Sequence, residues 1–206
     1  MNEITAITPQ IKDKRRCNVY VDGRFCCGLT LEATVKNRLK VGQIVSPERL
    51  AEIQLDSEKN TAFDKALTHL SAAQKTEKQV RTFLEGKGYL PAVVEYVIDK
   101  LHSYNFLNDG QYAETYVECI GKRKGSKLIR MELKGKGVSD EDIDEALDKL
   151  SLETEKETAT ALLAKYMRGK AYDKATLQKA CRYLLGKGYD YEIVKSVISD
   201  YGLDEE

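Results

Sequence analysis

The sequence predicts a mainly α-helical protein: three tandem three-helix repeats in an elongated curved array, preceded by a small antiparallel β-sheet and short helices. The first of three observations is a segment written three times, Leu84-Glu85-Gly86-Lys87-Gly88-Tyr89, Leu133-Lys134-Gly135-Lys136-Gly137-Val138 and Leu184-Leu185-Gly186-Lys187-Gly188-Tyr189. Its first glycines are 49 residues (86 to 135) and then 51 residues (135 to 186) apart. The second is a set of apolar positions downstream of each copy. Val94, Ile143 and Val194, then Val97, Ala146 and Val197, then Ile98, Leu147 and Ile198, then Leu101, Leu150 and Tyr201 stand at matching offsets. Their i, i+3, i+4, i+7 spacing is that of one helix face, recurring at the period of a tandem helical unit. The third is the change of period near the start, where residues 3–30 alternate as strands do.

In chain order, Ile4-Thr5-Ala6-Ile7-Thr8, Cys17-Asn18-Val19-Tyr20-Val21 and Phe25-Cys26-Cys27-Gly28-Leu29 read as three strands. Asp22-Gly23 between the last two is a two-residue hairpin turn, because both positions tolerate positive φ. Lys12-Asp13-Lys14-Arg15-Arg16 reads as a solvated loop between strands one and two. A short helix is expected at 31–38, a break at Gly42, and a second helix with Ser46 as N-cap and Pro47 at its first position.

Each repeat then reads as helices A, B and C. In the first, helix A covers 62–72 with Ala66, Leu67 and Leu70 inward. Thr76 and Gln79 form a capping box for helix B, Gly86 and Gly88 end it, and Pro91 opens helix C. In the second, Asn108 or Asp109 caps helix A, helix B contains 127–133, and Ser139 caps helix C. In the third, helix A spans 153–168, and Asp173 and Asp190 cap helices B and C. The expected boundaries are 1–58 for the sheet and short helices, and 59–107, 108–150 and 151–206 for the repeats.

Composition narrows the function classes. The chain has 206 residues, 42% of them hydrophobic and 32% charged, enough for an ordinary core. It holds no run of about 18 apolar residues and begins without a secretory pattern, so a cytoplasmic location and no membrane partner are expected. Cys17, Cys26, Cys27, Cys119 and Cys181 are odd in number and lack C-x-x-C spacing, and read as reduced, buried side chains. His69 and His102 stand far from any cysteine pair, so no metal site is expected. Nor does any triad or metal constellation have the spacing that catalysis needs; no enzyme and no cofactor are expected.

The net charge of zero conceals segregation. Residues 1–50 carry nine bases and five acids. Within 122–136 stand Lys122, Arg123, Lys124, Lys127, Arg130, Lys134 and Lys136 against the single acid Glu132, and six acids lie between Asp140 and Asp148. Lys127, Arg130 and Lys134 fall at i, i+3 and i+7 on one helix face, while Leu128, Met131 and Leu133 are read as its apolar contacts. A localised cationic stripe suits phosphate or an acidic partner. Lys87, Lys136 and Lys187 have a simpler reading as well, since a cation at a helix C-terminus gains about 0.3–1 kcal/mol from the dipole. Gly-Lys-Gly here ends a helix and is no phosphate loop. Tyr112 and Tyr116 read as core rather than as stacking platforms.

Two stretches of the central repeat carry a resemblance. One is Leu107-Asn108-Asp109-Gly110-Gln111-Tyr112-Ala113-Glu114-Thr115-Tyr116-Val117. The other is Lys124-Gly125-Ser126-Lys127-Leu128-Ile129-Arg130-Met131-Glu132-Leu133-Lys134-Gly135-Lys136-Gly137-Val138. Together they are similar to the pattern L-x-D-x-x-[FY]-A-x-x-[YW]-V and then K-G-x-x-x-[IL]-x-x-E-L-x-x-K-G-[IV] of the RecX family, bacterial modulators of RecA, and the likeness covers about 62–203. Asn18-Val19-Tyr20-Val21-Asp22-Gly23 resembles the segment that longer members carry before the repeats.

The resemblance implies a non-enzymatic regulator in DNA repair and the SOS response. It would lie in the groove of the RecA–single-stranded-DNA filament and inhibit recombinase, ATPase and co-protease activity. Its implied partner is the RecA nucleoprotein filament, with direct contact to single- or double-stranded DNA left open and a monomer expected. The expected contact residues are Lys122, Arg123, Lys124, Lys127, Arg130, Lys134, Lys136 and Lys87. The competing reading is a general DNA-binding module of helix-turn-helix-like units, against which a sequence pI near 6.8 counts.

Overall fold

The computed structural model of the chain describes residues 2–11 and 13–203. Lys12 and the side chain of Tyr201 lie outside the described set. Contacts divide the chain into two compact units: one contains the chain up to Ala73 together with Val80–Phe106, the other Gln74–Gln79 and the chain from Leu107 on.

The first unit opens with strands β1 (Ile4–Pro9), β2 (Arg16–Val21) and β3 (Arg24–Thr30), an antiparallel sheet in the order β1-β2-β3. Asp22 and Gly23 take φ of 47° and 77°, the left-handed pair that a tight hairpin demands. Period-two alternation puts Cys17, Val19, Cys27 and Leu29 on one face, where Leu39, Val45, Leu50 and Ile53 cover them. Helix α1 (Leu31–Lys36) comes directly after β3, its N-terminus capped by Thr30 Oγ1 on the Ala33 N–H at 3.1 Å.

Helix α2 corrects the expectation of two separate helices. It runs unbroken over Pro47–Ala72, 26 residues, with Ser46 as N-cap and Pro47 in the first turn as expected. Because 48–72 contain neither Gly nor Pro, nothing stops the helix, and the expected boundary between 58 and 59 falls inside it. Ser57 fastens it to the sheet by accepting the Thr30 N–H at 3.0 Å. Ala62 and Ala66 are fully buried, and α2 packs on α4 (Pro91–Ser103), which turns in Val93, Val94, Val97, Ile98 and Leu101. Helix α3 (Glu77–Gly86) begins in the second unit and ends in the first.

The second unit holds α5 (Asp109–Ile120), α6 (Ser126–Gly135) and α7 (Asp140–Asp148), around Ala113, Val117, Ile129, Leu133, Ile143 and Ala146. Next come α8 (Leu152–Met167), α9 (Lys174–Gly186) and α10 (Tyr191–Leu203), around Ala159, Leu163, Ala180, Leu184, Tyr189, Val194 and Val197. The expected caps form: Ser139 Oγ accepts the Asp142 N–H at 3.1 Å and Asp173 Oδ1 the Thr176 N–H at 2.7 Å.

The three Gly-Lys-Gly turns share one geometry. The first glycine is the last helical residue, and only the second, Gly88, Gly137 or Gly188, takes positive φ, at 82°, 91° and 88°. That lets the N–H of Tyr89, Val138 and Tyr189 reach back to the carbonyls of Leu84, Leu133 and Leu184 at 3.2–3.3 Å. Leucine and the apolar residue after the second glycine are thus the two ends of a Schellman motif, and they recur because the turn needs both.

All five cysteines are free thiols. Cys17 and Cys27 are buried as expected, and burial pushes the Cys27 thiol up to about 12. Cys26 and Cys119 are exposed and Cys181 half-buried, which corrects the expectation that all were interior. Among the described residues no group of His, Cys, Asp and Glu could hold a metal ion, and no helix is long and apolar enough to cross a membrane.

Candidate binding face of the second repeat

Helix α6 is positioned by joints that local sequence does not announce. Its N-terminus carries Gly125 as N-cap, which has no side chain to satisfy the first N–H groups. They are satisfied from residues far along the chain. Glu155 Oε1, buried on α8, accepts the Ser126 N–H at 2.7 Å, and the Gly188 carbonyl accepts the Lys127 N–H at 3.1 Å. The start of α3 is held in the same way. Asp109 Oδ1 on α5 accepts the Glu77 N–H at 2.9 Å, and Thr76 Oγ1 donates to the Lys136 carbonyl at 2.7 Å. Asn108 is the residue that caps α5 itself, accepting the Gln111 N–H at 2.9 Å. Thus the open end of a helix B receives a carboxylate from the next helix A and the Gly-Lys-Gly turn of the next helix B.

Held in this way, α6 turns Ile129 and Leu133 fully inward and Lys127, Arg130, Met131 and Lys134 outward. Met131 is 64% exposed, so it belongs to the outer face, correcting its reading as an inward contact. The inward position is taken by Ile129, which the helical period places opposite the basic residues.

The basic residues share that face but do not stand alone on it. Lys127 Nζ lies 2.6 Å from Asp190 Oδ2, and this pairing lowers the Asp190 carboxyl below its usual value. Arg130 pairs with Asp144 and reaches Asp140 at 4.0 Å; Lys134 Nζ lies 2.6 Å from Asp140 Oδ1. The acidic run on α7 therefore neutralises much of the stripe that precedes it in sequence. These pairs are half-exposed, so each stabilises only weakly, by about 0–1 kcal/mol.

Lys124 turns inward onto Glu132, which also accepts the Tyr116 hydroxyl at 2.7 Å. Partial burial opposes ionisation of Glu132, but the hydrogen bonds from Lys124 and Tyr116 outweigh it and hold the carboxyl below the usual value. Burial and the same carboxylate push the Tyr116 phenol up to about 12. The Tyr112 and Tyr116 rings stack at 6.1 Å, half-buried, with Lys136 Nζ 5.5 Å from the Tyr116 centroid. In the first unit Lys87 sits 5.5 Å from the Phe83 ring, which stacks on His69 at 4.1 Å; Lys187 lies 5.6 Å from Tyr183. The lysine of each Gly-Lys-Gly thus covers an aromatic ring as well as a helix end.

Among the expected contact residues, Lys122 and Arg123 are exposed on the turn between α5 and α6 and have no carboxylate partner among the described residues. The outer face of α6 itself consists of the half-neutralised Lys127, Arg130 and Lys134 with Met131, and Lys122 and Arg123 stand on the turn that precedes it, Lys122 beside Glu114, Glu118 and Lys149. Sequence reading missed Asp190, Asp140 and Asp144 as partners. For Asp140 and Asp144 the signal available was the acidic run beginning six residues after Lys134; Asp190, in the third repeat, had none.

Comparison with known proteins matches four successive segments of the chain to one family. Residues 2–46 match the family description "Regulatory protein RecX N-terminal domain", and 62–101, 108–147 and 153–198 match the first, second and third three-helix domains of RecX. A regulatory protein RecX of Clostridium tetani is 34% identical over 203 residues, covering 97% of this chain and 94% of its own. One of Bacillus subtilis is 31% identical over 209 residues, covering 98% of this chain and 79% of its own. A crystal structure described as regulatory protein RecX superposes with a TM-score of 0.71 at 27% identity, over 96% of this chain and 98% of that one. The RecX crystal structure from Lactobacillus salivarius gives 0.65 at 27% identity, over 71% of this chain and 97% of that one.

Proposed function

This chain belongs to the RecX family of regulatory proteins, and on that premise we propose that it restrains RecA by binding in the groove of the RecA–single-stranded-DNA filament. Occupying the groove would oppose strand exchange, ATP hydrolysis and co-protease action without chemistry of its own. The observation that carries this reading is the outer face of α6, where Met131 stands exposed among Lys127, Arg130 and Lys134, preceded by a turn on which Lys122 and Arg123 are exposed and have no carboxylate partner among the described residues. An exposed apolar side chain among basic residues that are already paired with carboxylates fits a protein surface able to exchange those pairs better than DNA alone. Three repeats in tandem also let modest contacts on successive filament subunits combine through effective concentration.

RecA ATPase on single-stranded DNA, with this protein titrated well below the RecA concentration, tests the reading. Inhibition at substoichiometric ratios supports it. No inhibition, with tight salt-sensitive binding of the protein to bare DNA, replaces it with the general DNA-binding module.

A further inference from the structure

The repeats differ at one pair of equivalent positions. Five residues before the first glycine of each triplet stand Arg81, Arg130 and Cys181; nine residues after it stand Glu95, Asp144 and Lys195. In the first repeat Arg81 on α3 grips Glu95 on α4 with both terminal guanidinium nitrogens, Nη1 and Nη2, at 2.5 and 3.0 Å. In the second, Arg130 on α6 pairs with Asp144 on α7. In the third, the short Cys181 on α9 cannot reach across, and the acceptor on α10 has become a second cation.

What replaces the bridge is a groove of about 450 Å³ between α9 and α10, the size of an ordinary ligand cleft. Leu177, Cys181, Tyr191 and Ile198 supply apolar walls. Lys174 and Lys195 stand exposed at its edge, and neither has a carboxylate partner among the described residues. The one acid in the lining, Asp173, is engaged as the N-cap of α9, accepting the Thr176 N–H at 2.7 Å. The groove therefore offers apolar surface and two positive charges without a carboxylate partner among the described residues, where the other repeats carry a matched pair.

We propose that this groove binds a short acidic segment of a partner protein, with a large apolar side chain seated between α9 and α10 and flanking carboxylates on Lys174 and Lys195. The bound carboxylate takes the place that Glu95 and Asp144 hold in the other two repeats, and the apolar side chain fills the space left by the missing arginine. Charge complementarity selects the occupant, because a basic or neutral polar segment would leave both lysines unmatched and the apolar walls wet. The proposal does not depend on the RecA reading and is tested without RecA.

The test uses the full chain and a fluorescein-labelled peptide Asp-Asp-Leu-Phe-Glu-Glu, with Lys-Lys-Leu-Phe-Lys-Lys and Asp-Asp-Ser-Ser-Glu-Glu as controls, monitored by anisotropy. The acidic apolar peptide is expected to bind at least about tenfold more tightly than either control, and Lys195→Ala to weaken it several-fold. The double variant Cys181→Arg with Lys195→Glu rebuilds the bridge of the other repeats; it is expected to keep or raise the melting temperature and to lose binding. Bound peptide is also expected to slow alkylation of Cys181 in the unaltered protein, while exposed Cys26 and Cys119 react at unchanged rates. This readout decides the matter even if the double variant folds poorly. Equal binding of the three peptides, unchanged binding by the folded double variant, or unprotected Cys181 would each overturn the proposal. So would protection of Cys181 by a single-stranded oligonucleotide but not by the peptide, since the lysines would then serve phosphate.

Discussion

A Cβ atom placed on Gly188 would lie 2.3 Å from the Cβ of Leu128, 60 residues earlier, and 2.4 Å from its backbone nitrogen. The glycine that ends α9 is therefore also the surface on which α6 begins. Gly137 stands in the same relation to Lys78, with 2.5 Å to its Cβ, whereas Gly88 meets nothing within 4 Å.

This ranks three substitutions that sequence alone makes equivalent. Gly88→Ala is expected to cost about 1 kcal/mol, the strain of a positive φ. Gly188→Ala adds a clash with backbone that cannot move aside and is expected to cost about 3 kcal/mol or more. Gly137→Ala should fall between, since part of what it meets is the flexible Lys78 side chain. Urea denaturation of the three variants checks the order; equal losses would show that only backbone conformation matters.

Glu155 is buried and gives its carboxylate to the Ser126 N–H at the start of α6. Glu155→Ala leaves that donor without a partner and is expected to cost about 1–3 kcal/mol. Glu155→Gln retains an acceptor oxygen and should recover a good part of the loss. If both variants match the unaltered protein in urea midpoint, the joint contributes nothing.

Glu132 gives stability a pH signature. Its folded carboxyl titrates below the ordinary value of 4.5, so its contribution is complete above that value and disappears as pH falls through the lower folded value. The stability gap between the unaltered protein and Glu132→Gln is therefore expected to be largest near neutrality and to narrow below about pH 4.5. Unfolding midpoints at pH 7 and pH 3 check this; a constant gap would contradict it.

For filament binding, Lys122→Glu with Arg123→Glu is the cleanest variant, because neither side chain has a carboxylate partner among the described residues. It is expected to raise the half-inhibitory concentration in the ATPase assay about tenfold with little change in melting temperature. Arg130→Glu would instead face Asp140 and Asp144 and lose stability as well, so Arg130→Gln is the informative change there. Full inhibition by the Lys122/Arg123 variant would remove that turn from the interface.

Periodicity, caps and turn chemistry were legible because each acts within a few residues. The Asp22-Gly23 hairpin, Ser46 before Pro47, the Thr76–Gln79 capping box and the three apolar faces after Gly-Lys-Gly all formed as their local chemistry requires. So did the count of helices from α3 onward. The extent of α2 was less legible, since the absence of a stop signal is weaker than the presence of a start.

Tertiary structure alone decided which charges meet. Lys134 finds Asp140 on the next helix, Lys127 finds Asp190, and Asp109 caps α3 instead of its own helix, because packing brings together groups that spacing along the chain keeps apart. A run of seven bases in fifteen residues read as a free cationic stripe; folding pairs three of its members with acids from α7 and Asp190 and turns Lys124 onto Glu132. Charge adds along a sequence, but potential is set by what lies within a few ångströms, and that distance exists only in the folded chain.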